Sequence, residues 1–254
     1  MTEKKCALVT GAGCRIGQAI ALDLATAGYR VAVHYNGSAE GAEKTVTAIR
    51  DQGGEALAFQ ADFLAEDSAG TLLEQATSAM GAVTLLVNNA SLFEDDHWDT
   101  VSPESWDRHM TANLKAPFFL MQAFAEALGK DLPGAIVNII DQRVWNLTPN
   151  YMSYTLAKSG LWTLTRTMAL ALAPKIRVNA VGPGPTLPNV RQIGDDFDEQ
   201  WRHLPLQRKT ELSDICQAVR FLAGAGSMTG QMIAVDGGEH LGWAQPENGF
   251  VPKE

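Results

Sequence analysis

The sequence predicts an α/β fold: one domain, 1–254, in which a doubly wound parallel sheet of about seven strands carries helices on both faces. Three observations lead there. Short runs of small and β-branched apolar residues alternate along the chain with longer stretches of helical periodicity. Those short runs are apolar throughout, the pattern of strands covered on both sides. No repeat, low-complexity tract or linker divides the 254 residues, a length that one α/β domain can fill.

In chain order, a first strand at 7–10 runs into a glycine-rich turn and a helix at 16–27. A strand at 30–34 precedes a helix at 39–52, and a strand at 56–60 precedes one at 66–79. The fourth strand, 84–87, leads to a long helical stretch at 103–128, and the fifth, 135–140, to a helix at 152–172. Strand 177–181, helix 212–223 and strand 232–235 complete the series. Strand–helix–strand units cross over right-handed, so the sheet is of the Rossmann type. The segment 182–209, with Pro183, Pro185 and Pro188, is the least regular and lies where a cover over a ligand crevice would sit; an ordinary surface loop is the alternative. The tail after Gly242 reads as extended, able to wrap a neighbouring subunit.

Composition narrows the function. Twenty basic against 29 acidic residues leave a net charge of −9, which disfavours nucleic acid as a partner. No apolar run is long enough for a membrane span, and the apolar start is too short for a signal-peptide core, so the reading is cytoplasmic. Cys6, Cys14 and Cys216 have no metal-like spacing and read as reduced thiols. The five histidines form no metal motif, and no G-x-S-x-G elbow is present.

Thr10-Gly11-Ala12-Gly13-Cys14-Arg15-Ile16-Gly17 sits between the first strand and the first helix. Glycines there let backbone approach a pyrophosphate, and a helix N-terminus offers N–H groups to it. The second strand ends His34-Tyr35-Asn36-Gly37-Ser38, with no carboxylate before Glu40. A carboxylate would bind a ribose 2′-hydroxyl and repel a 2′-phosphate; His34, Asn36 and Ser38 instead offer donors, and Arg15 adds a cation. NADPH is therefore the expected cofactor. Tyr154 and Lys158, four apart, share one helix face, where a nearby ammonium would favour the phenolate and make Tyr154 a better proton relay.

These landmarks, with Asp62, Asn88-Asn89-Ala90, Asn113, Pro183-Gly184 and Val235-Asp236-Gly237-Gly238, resemble the short-chain dehydrogenase/reductase family over essentially the full length. The resemblance implies that Asp62 contacts adenine, that Asn89 and Ala90 line the cofactor, and that Thr186 meets the nicotinamide amide. It implies that Asn113 holds a proton-relay water near Lys158, and that the chain forms a homo-oligomer, a tetramer in most relatives. Asn88 and Asn113 could alternatively serve only to satisfy buried backbone groups.

Two positions depart from the family: Arg15 stands where the middle glycine of the turn usually sits, and the second departure is at 141. Asp141 stands thirteen residues before Tyr154, where most members carry a serine. An ionised carboxylate would repel the oxyanion developing on a ketone, whereas an Asp–Tyr pair can deliver a proton to nitrogen. Arg15, Asp141 and Ser91-Leu92-Phe93 together resemble the pteridine reductase branch. That likeness implies that Phe93 stacks a pterin, Ser91 and Arg15 bind its polar edge and the cofactor phosphate, and Tyr151 lines the pocket. The expected reaction is hydride transfer from NADPH to a pterin-like C=N bond, with Tyr154 and Asp141 relaying the proton. The alternatives are a 3-oxoacyl-type carbonyl reductase and a non-catalytic NADPH-binding protein.

Overall fold

In the computed structural model, which describes residues 5–189 and 191–242, seven parallel strands form one sheet in the order β3-β2-β1-β4-β5-β6-β7. The strands are β1 (Cys6–Val9), β2 (Arg30–Tyr35), β3 (Ala56–Gln60), β4 (Val83–Asn88), β5 (Gly134–Ile139), β6 (Ile176–Pro183) and β7 (Met232–Val235). Each is a run the apolar pattern indicated, shifted by a few residues at its ends. Alternate residues of a buried strand face opposite cores. Cys6 and Leu8 pack into one, Ala7 and Val9 into the other. The first core is completed by helices α3 (Ser68–Met80), α5 (Ala116–Ala127) and α6 (Met152–Ala171), through Leu72, Leu120 and Leu161. The second is completed by α1 (Arg15–Thr26), α2 (Ala39–Asp51) and α8 (Leu212–Gly224), through Ile20, Ile49 and Leu222. Each such fully buried aliphatic side chain contributes roughly 1.5–3 kcal/mol.

Two regions differ from the sequence-based expectation. The helical stretch at 103–128 is not one helix: α4 (Pro103–Met110) passes through a π turn, Thr111–Lys115, before α5 begins. Pro117 has no N–H to give the carbonyl of Asn113, four residues back, and the ladder widens where that bond would fall. Segment 182–209 holds a short helix, α7 (Asp196–Arg202), whose acidic first turn and Arg202 in the last turn suit the helix dipole. The tail expected to wrap a neighbour lies beyond Gly242, outside the described residues. No helix among the described residues is long and apolar enough to cross a membrane.

The chain reverses direction across the sheet between β1 and β4, and the carboxyl ends of these strands open a crevice at that switch point.

Candidate active site

That crevice is a cavity of about 740 Å³ running from the end of β2 to Tyr154. Its wall includes Gly11, Arg15, Ile16, Gly17, His34, Asn36, Ser38 and Asp62 on one side. Asn89, Ala90, Ser91, Phe93, Asp141, Tyr151, Tyr154, Pro183, Gly184 and Thr186 line the rest. Gly13, Asn113 and Lys158 are not part of the wall. Gly13 is buried against Ser38 and the backbone of α2, and the other two lie behind the side chains that face the cavity.

The glycine turn is built by close packing. A Cβ on Gly17 would stand 2.2 Å from the Gly11 carbonyl oxygen, so no other residue fits. Asn89 secures the turn from β4, its side-chain amide donating to the Thr10 carbonyl at 2.8 Å. Helix α1 starts at Arg15, and its N-cap Cys14 makes no side-chain cap, so its first N–H groups remain available where the wall is formed. Arg15 adopts φ +53°, a left-handed conformation that explains why glycine is usual there. Its guanidinium donates to the carbonyls of Pro188 (2.9 Å) and Leu187 (3.2 Å), tying the turn to the 182–209 segment.

His34 overturns one expectation. Its Nδ1 accepts from the Gly11 N–H at 3.1 Å, so Nε2 carries the proton and donates to the Ala61 carbonyl at 3.1 Å. The ring stacks on Phe63, and burial pushes its pKa down to about 4, against the opposing Ala61 hydrogen bond. With both nitrogens engaged, His34 positions the turn and has no donor left for a phosphate. Because the folded-state pKa lies below the unfolded value of about 6.5, its contribution to stability is present above pH 6.5 and lost as pH falls toward 4. In urea melts, the stability gap between the wild type and His34→Gln is expected to shrink by roughly 2–3 kcal/mol between pH 7 and 4. A gap independent of pH would refute this. Asn36 donates to Asp62 Oδ1 at 3.3 Å, and the same oxygen accepts the Leu64 N–H at 3.0 Å, so these two side chains shape the wall together.

At the other end, Tyr154 and Lys158 project from one buried face of α6. The Tyr154 hydroxyl donates to Asp141 Oδ2 at 2.9 Å, and Asp141 Oδ1 accepts the Arg143 N–H at 2.8 Å. Lys158 Nζ donates to the Ile139 carbonyl at 2.9 Å and stands 5.7 Å from the Tyr154 ring centroid. The expected lowering of the phenol pKa is therefore corrected. Burial, with the charge and hydrogen bond of Asp141, raises Tyr154 well above its ordinary value, outweighing Arg143. Burial pushes Lys158 down to about 8, with Asp141 opposing. The Asn113 side chain is spent on Leu92, accepting from its N–H at 2.7 Å and donating to its carbonyl at 2.8 Å. This ladder sets the segment bearing Ser91 and Phe93. Asn88, paired with Asn138 at 2.8 Å, is internal bracing. Thr186 turns its hydroxyl to the Gly184 carbonyl at 2.9 Å.

Phe93 packs edge-on to Tyr154 (4.6 Å between centroids) and tilted against Tyr151 (4.5 Å). Its position depends on a buried cluster that the motifs did not reveal. Asp96 accepts from the Ser153 hydroxyl, from the Ser153 N–H at 3.1 Å and from the Ser105 hydroxyl at 3.1 Å. His109 Nε2 accepts the Glu94 N–H at 3.1 Å, which leaves the proton on Nδ1, 2.8 Å from the Ser153 hydroxyl. Burial favours protonation of Asp96, but these hydrogen bonds prevail and hold its pKa low. A Ser-His-Asp set sealed from the cavity has no access to substrate and serves as a clamp. Also unforeseen on the wall are Gln142, Arg143, Asn189, Arg191, Gln200 and Glu239, which carry no short-range sequence motif.

Cys14 is exposed on the cavity wall, whereas burial raises Cys6 to about 11 and Cys216 to about 12. Iodoacetamide is expected to modify Cys14 far faster than the other two, and NADPH to slow that reaction, as read by peptide mass spectrometry. Equal labelling with and without nucleotide would argue against a cofactor on the glycine turn.

A crevice at a topological switch point, a glycine turn opening a helix, and a buried Tyr–Lys pair define a dinucleotide-dependent oxidoreductase. A family model described as enoyl-(acyl carrier protein) reductase matches residues 11–240. The 3-oxoacyl-[acyl-carrier-protein] reductase FabG of Staphylococcus epidermidis is 37% identical over 242 residues, covering 93% of this chain and 99% of that one. Among solved structures, FolM alternative dihydrofolate reductase 1 from Brucella canis, complexed with NADP, superposes with a TM-score of 0.92 at 48% identity, covering 97% of this chain and 98% of that one. A blue fluorescent protein from a metagenomic library, in complex with NADPH, gives 0.85 at 33% identity, covering 92% and 97%. The chain belongs to the short-chain dehydrogenase/reductase family.

Proposed function

We propose that this oxidoreductase uses NADPH to reduce the C=N bond of a dihydropterin-like substrate, a dihydropterin or dihydrofolate. The observation that carries this reading is the 2.9 Å hydrogen bond from the Tyr154 hydroxyl to Asp141. A carboxylate fixed beside the proton donor is repulsive to a forming alkoxide, yet it pairs well with the N–H groups of a heterocycle. The 48% identity to the NADP-complexed FolM dihydrofolate reductase supports the same reading.

NADPH is the cofactor, and when bound it supplies the hydride. The wall from Gly11 to Gly17 and the open N-terminus of α1 suit its pyrophosphate, Asn36 and Ser38 its 2′-phosphate, and Asp62 its adenine. Asn89, Ala90, Pro183, Gly184 and Thr186 would flank the nicotinamide half. Tyr154 holds a proton on its hydroxyl at neutral pH and delivers it to the substrate nitrogen, and Asp141 orients that hydroxyl. Lys158 supplies positive charge behind the phenol, and the Asn113 carbonyl, which gets no N–H from Pro117, would hold a relay water. Phe93 and Tyr151 offer aromatic surface to a flat ring, and Ser91 a hydroxyl to its edge. We further place the protein in the cytoplasm as a homotetramer. An apolar groove along Met110, Leu114, Phe118 and Leu164, beside exposed Phe119, supports pairing through α5 and α6.

The second reading, 3-oxoacyl reduction, is favoured by the 37% identity to FabG. NADPH oxidation measured across dihydrobiopterin, dihydrofolate and β-ketoacyl esters decides. Faster turnover of the pterins is expected. A faster ketoester would establish the second reading, and a failure to turn over any of them would leave an NADPH-binding protein.

A further inference from the structure

We propose that Arg143 and Arg191 form a recognition site for an anionic group, a carboxylate or phosphate, carried on the substrate's side chain. This rests on the pterin reading and adds to it the kind of pterin: one with an acidic tail. Passing outward from the buried Tyr154, the cavity wall presents Phe93, then Tyr151, then two guanidinium groups. Arg143 stands 5.3 Å and Arg191 5.5 Å from the Tyr151 ring, and Arg191 is 4.7 Å from Phe93. The two cations therefore flank the aromatic pair at the mouth, where a substituent on a flat ring stacked inside would emerge.

Among the described residues, neither arginine has an ionic partner. Arg108, on the same wall, is held by Glu94 at 2.8 Å, but no carboxylate among the described residues lies within salt-bridge range of Arg143 or Arg191. The Nε of Arg143 is buried without a hydrogen-bond partner among the described residues, an unmet donor at the site. Its fork donates to the Thr148 hydroxyl, and Arg191 gives one N–H to the Phe93 carbonyl at 3.2 Å. Glu239 feels the charge of Arg143 without pairing with it, and Asp141, bonded to the Tyr154 hydroxyl, lies at the inner end, where a heterocycle's N–H groups would be. In a chain of net charge −9, two guanidiniums at one mouth with no carboxylate partner among the described residues are a local feature rather than part of a basic surface. Planar forks match carboxylate and phosphate oxygens, and aromatic stacking holds them ready for an anion.

The test compares kcat/KM for dihydrofolate, dihydroneopterin monophosphate and neutral dihydrobiopterin in the wild type, Arg191→Gln, Arg143→Gln and the double variant. The ratio of dihydrofolate to dihydrobiopterin is expected to fall about tenfold in each single variant and further in the double, through KM. Arg191→Lys should recover part of the loss, and added salt should raise the wild-type KM for the anionic substrate only. The phosphorylated pterin tells the sources apart. A larger loss for it than for dihydrofolate assigns the site to phosphate, and the reverse assigns it to carboxylate. If wild type reduces dihydrobiopterin but the ratios stay constant across the variants, the anion site falls and the pterin reading stands. If wild type reduces no pterin, both fall.

Discussion

Tyr154→Phe is expected to lower kcat by about 10³-fold with every substrate the wild type reduces, because the proton donor is removed while the ring and its packing on Phe93 remain. That corresponds to about 4 kcal/mol of transition-state stabilisation. NADPH affinity, followed by fluorescence titration, should change by less than about threefold, since a hydroxyl rather than a charge is lost. The environment of the phenol also sets a pH profile. Burial, with Asp141 adding to it, keeps Tyr154 protonated throughout the neutral range, so the donor itself does not limit the rate there. Donation leaves a phenolate that the Lys158 ammonium stabilises, and Lys158 titrates near 8. In the reductive direction kcat/KM should hold below that pH and decline above it. Turnover within tenfold of wild type in Tyr154→Phe would mean that the proton comes from elsewhere.

Asp141→Ser is the second large effect. Serine restores a neutral donor where the carboxylate stands and removes the acceptor that the Tyr154 hydroxyl now uses. Reduction of dihydropterins should drop about 10²-fold, and reduction of a β-ketoacyl ester should rise from its wild-type level, because an oxyanion no longer faces a negative charge. The two changes have opposite sign, so misfolding cannot imitate them. If both activities fell together, Asp141 would be holding the site's shape rather than choosing its substrate. Because Asp141 also accepts the Arg143 N–H, a melting curve on the variant should accompany the kinetics.

The legibility of the site followed the range of its interactions. Tyr154 and Lys158 lie one helical turn apart, and Gly11 to Gly17 form one turn between a strand and a helix. Such spacings survive translation into a linear string. Pro117 also carried its message locally, since a missing N–H after Asn113 forecasts a break in the helix, although the pattern of 103–128 alone concealed it. The polar residues on the far wall gave no such sign. Arg143, Arg191 and Glu239 come from segments after β5, β6 and β7 and meet only when the sheet aligns their ends. The same holds for Asp96, Ser105, His109 and Ser153, which look like ordinary loop and helix polar residues until burial brings them together.

What the sequence alone determined was the α/β architecture, the strand series and the class of chemistry, because apolar periodicity and short motifs act over a few residues. Only the tertiary structure decided what each polar atom does. It closed both nitrogens of His34, spent the Asn113 amide on Leu92, turned the Tyr154 hydroxyl toward Asp141 and set two guanidiniums against the Phe93–Tyr151 pair. The physical reason is that a side chain's hydrogen-bond partners and desolvation depend on neighbours distant in the chain, and these set its charge and its availability.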